Sequence, residues 1–281
     1  MRPESNFAGS HLKPMQPIPT GETPRGLKRL VHIQAILFDV YGTLIISRAG
    51  ESNITAEHSR QELMDKLLRH YEIAESSDTV GRFLREAIDR EHARLIGQGI
   101  DYPEVDILEI WRSILDWDDL SQLKTFAQAY ETMINPVYPM PGLMKMLQSC
   151  RERALTMGLI SNAQFYTQGL LENMLAEPLV ASGFDPQLIL VSYQYQLAKP
   201  SVVLFEMAAK RLRDTGIQPE VSLFVGNDMR KDVLPAKTVG FQTALFAGDQ
   251  RSLRWRQDDP CCRDVVPDMV VTDLRQLILK E

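Results

Sequence analysis

Two textures alternate along the chain. The first apolar run, Ala35-Ile36-Leu37-Phe38, has no polar position and the length of a strand, the pattern of a strand buried on both faces. Runs of the same kind recur at Leu155–Ile160, Leu188–Val191, Val221–Val225, Thr243–Phe246 and Met269–Val271. Helical stretches lie between them. One opens at Pro139-Met140-Pro141-Gly142 and ends near Arg153, and one runs through Leu175. Others cover Ser201 to Arg213, Asp232 through Val239, and Asp273 to Leu279. Strand and helix in alternation predict an α/β fold, a doubly wound parallel sheet of Rossmann-like type with both faces covered.

From residue 54 to 134 the texture differs. Leu63, Leu67 and Ile73, then Phe83, Leu84, Ala87, Ile88 and Leu95, recur at helical spacing, and Asp78-Thr79 reads as a helix start. Two more helices are predicted near Val105 to Leu115 and from Leu120 to Ile134. Four helices in a row between strands read as an inserted helical subdomain, with Trp111, Trp117 and Tyr130 in its core or on the surface it lays on the main domain. The predicted division is a mobile Pro/Gly/Ser/Thr-rich arm over 1–30, a core over 31–50 and 136–281, and a helical insertion over 51–135. Arg25, Lys28 and Arg29 read as a solvated linker end.

Composition narrows the classes. A net charge of −6 argues against a nucleic-acid-binding surface, and no apolar run approaches the ~20 residues of a membrane span. The N-terminus has no apolar stretch of the secretory kind. Cys150, Cys261 and Cys262 are too few for a disulfide framework and fit a reducing compartment, so the cytoplasm is expected. The Cys261-Cys262 pair has no neighbouring Cys or His to complete a metal site. The partner expected is a small anionic molecule; a homodimer is compatible with the chain, whose oligomeric state stays open.

Chemistry collects at the strand ends. Asp39 and Thr43 follow the first strand, Ser161 and Asn162 the second, and Asn227, Asp228 and Asp232 the fourth, while Lys199 lies in the loop before the Ser201 helix. In a parallel sheet these ends share one edge, where ligands bind. A carboxylate there is a candidate nucleophile, and hydroxyl, amide and ammonium groups suit an anion. Further carboxylates suit Mg²⁺, which prefers oxygen ligands. Each residue taken alone has a plainer role as a helix cap or surface group; it is their convergence that favours a site.

With these motifs the sequence resembles the haloacid dehalogenase superfamily of hydrolases. Asp39-Val40-Tyr41-Gly42-Thr43 is similar to its first motif, Ser161 to the second, Lys199-Pro200 to the third, and Val225 through Asp232 to the fourth. The resemblance implies that Asp39 is the nucleophile, that Thr43 and Ser161 bind the transferring group, and that Lys199 neutralises charge. It also implies Mg²⁺ held by Asp39, the main-chain carbonyl of Tyr41 and an acid of the fourth motif. Asp228 is the expected ligand, with Asn227 at a position some members fill with Asp, and Asp232 ligates or orients Lys199. The helical insertion occupies the place of a substrate-selecting cap.

Position 41 divides the readings. The family's phosphatases usually carry Asp there as acid/base; Tyr41 is what its 2-haloacid dehalogenases carry, which need no metal. A free phenol, with pKa of about 10, is a poor base at neutral pH. The acidic fourth motif instead resembles the metal-dependent members, because clustered carboxylates facing Asp39 would repel without a cation. The first reading is therefore Mg²⁺-dependent hydrolysis of a small phosphorylated metabolite, with C–P cleavage through Lys66 as a variant. The second is a dehalogenase, whose substrate carboxylate or halide would need a cation such as Arg48, Arg60 or Arg69. The third is a catalytically weak protein that binds a ligand or partner.

Overall fold

The computed structural model describes residues 15–27, 32–47 and 54–277, with the backbone alone for 54–60. Lys28, Arg29, Arg48 and the Arg60 side chain lie outside the described residues.

Six strands form one parallel sheet: β1 (Ala35–Phe38), β4 (Thr156–Ser161), β5 (Phe184–Val191), β6 (Ser222–Gly226), β7 (Gln242–Phe246) and β8 (Met269–Val271). Their order is β5-β4-β1-β6-β7-β8. β1 is central, with Ala35 level with Thr156 on one side and Ser222 on the other. All four of its residues are buried, and their alternation decides which layer each meets. Ile36 and Phe38 join one core with Leu143, Met146 and Leu147 of α5 (Leu143–Glu152) and Leu171 of α6 (Tyr166–Leu175). Ala35 and Leu37 join another with Leu204, Phe205 and Ala208 of α7 (Val203–Asp214) and Ala236 of α8 (Leu234–Val239). Truncating one such residue, Leu37→Ala, would cost roughly 2–5 kcal/mol.

The chain moves outward from β1 through β4 to β5, then returns to place β6 on the other side of β1. That reversal opens a crevice beyond the carboxyl ends of β1 and β6.

Four helices lie between the sheet's first two strands in sequence: α1 (Ile54–His70), α2 (Ser77–Gly97), α3 (Ile107–Leu115) and α4 (Leu120–Ile134). Ser76, Asp106 and Asp119 cap the last three through their side chains. Leu67, Leu108, Trp111, Leu123 and Phe126 form a core of their own, on which Trp117 packs edge-on. A two-stranded antiparallel ribbon, β2 (Ile45–Ser47) with β3 (Val137–Pro139), joins the two passages of chain into and out of this block.

Several sequence expectations change. β5 begins at Phe184 rather than Leu188, because Asp185 and Pro186 interrupt the apolar pattern. Proline is tolerated there because β5 is an edge strand. The helix expected at Asp232 opens with a π-helical turn, Met229–Val233. The C-terminal helix is a 3₁₀ turn, Leu274–Leu277. Residues 15–27, expected to be mobile, are held in place. Arg25 exchanges two 3.0 Å main-chain hydrogen bonds with Val270 at the β8 edge. Thr20 Oγ1 donates to the Ala247 carbonyl, and Trp255 Nε1 donates to Glu22. Among the described residues no helix is long and apolar enough to cross a membrane.

Candidate active site

β1 delivers Asp39 to the crevice. Its main-chain N–H donates to the Val225 carbonyl at 2.9 Å, so β6 continues to hold the chain where the strand ends. Ser161, the last residue of β4, donates from Oγ to Asp39 Oδ1 at 2.9 Å. Lys199 Nζ donates to the same oxygen at 2.7 Å and to Asp232 Oδ1 at 2.6 Å. The three charged groups are 6%, 3% and 1% exposed for Asp39, Lys199 and Asp232. Burial pushes the Lys199 ammonium down, but Asp232 and Asp39 outweigh it and the group is held above its ordinary value. Burial pushes the Asp232 carboxyl up to about 6 against the pull of Lys199. The pair is therefore ionised at neutral pH.

Asp232 is fixed by its other oxygen. Oδ2 accepts the main-chain N–H groups of Asn227 and Asp228 at 3.0 and 2.9 Å. The carboxylate lies so close to the strand that a Cβ on Gly226 would stand 2.4 Å from its Cγ. Gly42 is also required: its φ is +82°, and a side chain there would strike Ser252 and the Asn227 amide.

Other expected site residues have different partners. Asn162, read as substrate-binding, braces the lysine loop: Nδ2 donates to the Lys199 carbonyl and Oδ1 accepts the Lys199 N–H at 2.7 Å. The phenol of Tyr41, the residue expected in the catalytic group and the one that divides the readings, bonds Thr167 Oγ1 at 2.9 Å, and burial drives it well above its ordinary value. It stays protonated at neutral pH and so offers no base. Thr43 is fully buried beside Asn227, its Oγ1 3.5 Å from the amide oxygen. Lys66 and Arg69 of α1 are exposed.

Asp228, the expected metal ligand, is occupied. Arg256 donates from Nε to Oδ1 at 3.1 Å and from Nη2 to Oδ2 at 2.7 Å, and Oδ1 also accepts the N–H groups of Arg230 and Lys231. Burial pushes its carboxyl up, but Arg256 and these amides prevail and hold it below the usual range. The repulsion that seemed to require a metal is thus met in part within the chain: Lys199 is shared by Asp39 and Asp232, and Arg256 offsets Asp228.

The donor set that remains still fits Mg²⁺. An ionised carboxylate has about four lone-pair positions. Ser161 and Lys199 take two on Asp39, and Oδ2 accepts no hydrogen bond among the described residues. The Tyr41 carbonyl accepts none there either, and the Asn227 amide oxygen has only the long contact from Thr43. One carboxylate, one carbonyl and one amide oxygen are hard donors of the kind Mg²⁺ takes alongside waters and substrate oxygens. Among the described residues no three His, Cys, Asp or Glu side chains gather to bind a metal more strongly. Of the two fourth-motif candidates, Asn227 is the one with a side-chain oxygen left for such a cation.

Arg256 and Ser252 were not found from sequence. They lie in the loop after β7, where Ser252 accepts Asn227 Nδ2 through its carbonyl at 2.7 Å. The basic run Arg251, Arg254 and Arg256 was the available signal.

Residues 33–240 match the sequence profile of the haloacid dehalogenase-like hydrolases, and the chain belongs to that family. Among curated proteins it is 25% identical over 249 residues to a glyceraldehyde 3-phosphate phosphatase of Methanopyrus kandleri, covering 88% of this chain and 96% of that one. It is 31% identical over 147 residues to a phosphoserine phosphatase of Thermus thermophilus, covering 51% of this chain and 52% of that one. The fold is shared with a 2-haloacid dehalogenase of Pseudomonas syringae pv. Tomato, at a TM-score of 0.54 and 16% identity, over 87% of this chain and 96% of that one.

Proposed function

We propose that the chain is a phosphatase that hydrolyses a small phosphorylated metabolite through an aspartyl-phosphate on Asp39. The observation that carries this is the state of the Asp39 carboxylate. Oδ1 is fixed by Ser161 and Lys199, while Oδ2 is left with its lone pairs at the sheet's carboxyl edge. Oδ2 bonds to phosphorus as the bond from phosphorus to the leaving oxygen breaks. That oxygen departs with the electron pair and takes a proton from water. Water then attacks phosphorus, the Asp39–phosphorus link breaks, and the protons pass to the released phosphate. Lys199, Thr43 and Ser161 stabilise the phosphoryl oxygens. Asp232 and Asn162 hold Lys199 in position. Mg²⁺ bound to the Asp39 carboxylate, the Tyr41 carbonyl and Asn227 would supply further positive charge to those oxygens. The helical block acts as the cap over this crevice. The phosphatase names of two curated relatives support the reaction class.

The test is phosphate release from p-nitrophenyl phosphate and a metabolite panel, with Asp39→Asn as control. Turnover that survives Asp39→Asn rules the mechanism out. Tyr41 favours a second reading, C–halide hydrolysis of a 2-haloacid; halide release from 2-chloropropionate without phosphate release would establish it instead.

A further inference from the structure

A cavity of about 250 Å³ lies between the helical block and the core. Its core wall carries Gln164 and Tyr166, three and five residues beyond Ser161. Tyr166 lies against Glu131, and the next residue, Thr167, bonds the Tyr41 phenol at 2.9 Å, so this wall stands beside the Tyr41 side chain, two residues from Asp39. Its helical wall carries Tyr130 and Glu131 from α4, and Glu104 from the loop before α3.

These groups are fixed. Glu104 accepts Ser192 Oγ at 2.8 Å and Gln164 Nε2 at 3.3 Å. Glu131 accepts Asn135 Nδ2 at 3.1 Å. Burial pushes both carboxyls up. Tyr130 is 6% exposed, and its hydroxyl has no hydrogen-bond partner among the described residues. The hydroxyl is therefore open to a ligand or solvent: among the described residues no buried side-chain nitrogen or oxygen lacks a partner. No lysine or arginine lines the cavity. Lys231 influences Glu104 from the core side and Arg85 influences Tyr130 from α2, but neither belongs to the wall, which has His92 as its only basic side chain.

Resting on the phosphatase reading, we propose that this cavity receives the leaving group, and that it selects phosphomonoesters of small alcohols bearing hydroxyl or amino groups while rejecting those bearing a second anionic group. Two carboxyls, a carboxamide and two phenols offer acceptors and hydroxyl donors for such a molecule. A carboxylate or second phosphate would face Glu104 and Glu131 without a guanidinium or ammonium in the wall. At ~30 Å³ for each water-sized group, the space holds about eight non-hydrogen atoms.

The experiment compares kcat/KM for glycerol phosphate, phosphoethanolamine and 3-phosphoglycerate, with p-nitrophenyl phosphate as reference. The first two are expected to exceed phosphoglycerate at least tenfold. Glu131→Gln and Glu104→Gln, with folding checked by thermal melt, are expected to narrow that gap at least threefold. Tyr130→Phe, which keeps the ring, is expected to raise KM for glycerol phosphate severalfold with little change in kcat. Phosphoglycerate turned over as well as the others overturns the proposal, as does a gap unmoved in both folded glutamine variants. Absence of phosphate release from all four substrates is the separate failure of the phosphatase reading itself.

Discussion

Lys199→Met tests the centre of the site. In the wild type one ammonium serves two carboxylates at 2.7 and 2.6 Å, all three groups being buried. Removing it leaves Asp39 and Asp232 facing each other without a cation. Breaking a buried pair by deleting one partner costs about 3–5 kcal/mol. At roughly 2–3 °C per kcal/mol for a chain of this length, the melting temperature should fall by roughly 6–15 °C. The deficit should also depend on pH. Asp232 is already pushed up to about 6 with Lys199 present, and losing the cation pushes it higher. An acid raised above its unfolded value of about 3.9 binds its proton more tightly when folded, so stability falls as pH rises through the folded value and is flat above it. Lys199 stays charged throughout this range in the wild type, because its group is held above its ordinary value. The variant's deficit is therefore smaller at pH 5 than at pH 8. Adding Asp232→Asn removes one of the opposed carboxylates and should recover at least half of the lost stability without recovering turnover. Thermal melts of wild type, single and double variants at both pH values decide the matter. A single variant that melts with the wild type, or a double variant no more stable than the single, refutes the charge arithmetic.

Chelation should abolish phosphate release and Mg²⁺ restore it; undiminished turnover in chelator means that Lys199, Ser161 and Thr43 suffice. Tyr41→Phe removes the 2.9 Å bond to Thr167 and should cost about 0.5–1.5 kcal/mol of stability while leaving the pH–rate profile unmoved. A shifted profile would mean that the phenol takes part in proton transfer. Gly226→Ala places a methyl 2.4 Å from Asp232 Cγ and should cost about 1–3 kcal/mol, with turnover falling as Lys199 loses its anchor; calorimetry and a phosphate assay read both effects.

The parts of the fold legible in the sequence were those decided by local burial. β1 and β8 are unbroken apolar runs because they are covered on both faces, and in β6 and β7 the polar residues, Ser222, Gln242 and Thr243, stand only at the strand starts. β5 was only half legible, since an edge strand accommodates Asp185 and Pro186. The ribbon of β2 and β3 has three residues a side, too few for a period-2 pattern to register, and its pairing joins segments about 90 residues apart. In the fourth motif, adjacent residues look equally acceptable as ligands in the sequence. What separates Asn227 from Asp228 is Arg256, 28 residues further on, which takes both oxygens of Asp228. Glu104 and Glu131 were hidden for a related reason. Helical periodicity registers apolar faces, so Glu131 on α4 reads as solvated until the core is seen to cover it, and Glu104 stands in a loop where no periodicity speaks of burial.

The segment that carries Glu104 also binds the helical block and Lys199 into one arrangement. The loop between α2 and α3 does more than carry Glu104. Its Tyr102 carbonyl accepts the Ala198 N–H at 2.7 Å, and the Glu104 N–H donates to the Gln196 carbonyl at 3.1 Å. Tyr102 also lies against Arg230, within the fourth motif. Next to Ala198 in the chain is Lys199, whose main chain is clamped by Asn162. The position of the ammonium between Asp39 and Asp232 therefore depends on core and helical block together. A change that loosens the α2–α3 loop would disturb the cavity wall at Glu104 and the lysine loop at once. Its effects on leaving-group preference and on turnover should appear together, whereas Glu131, which holds none of these loop bonds, should alter preference alone.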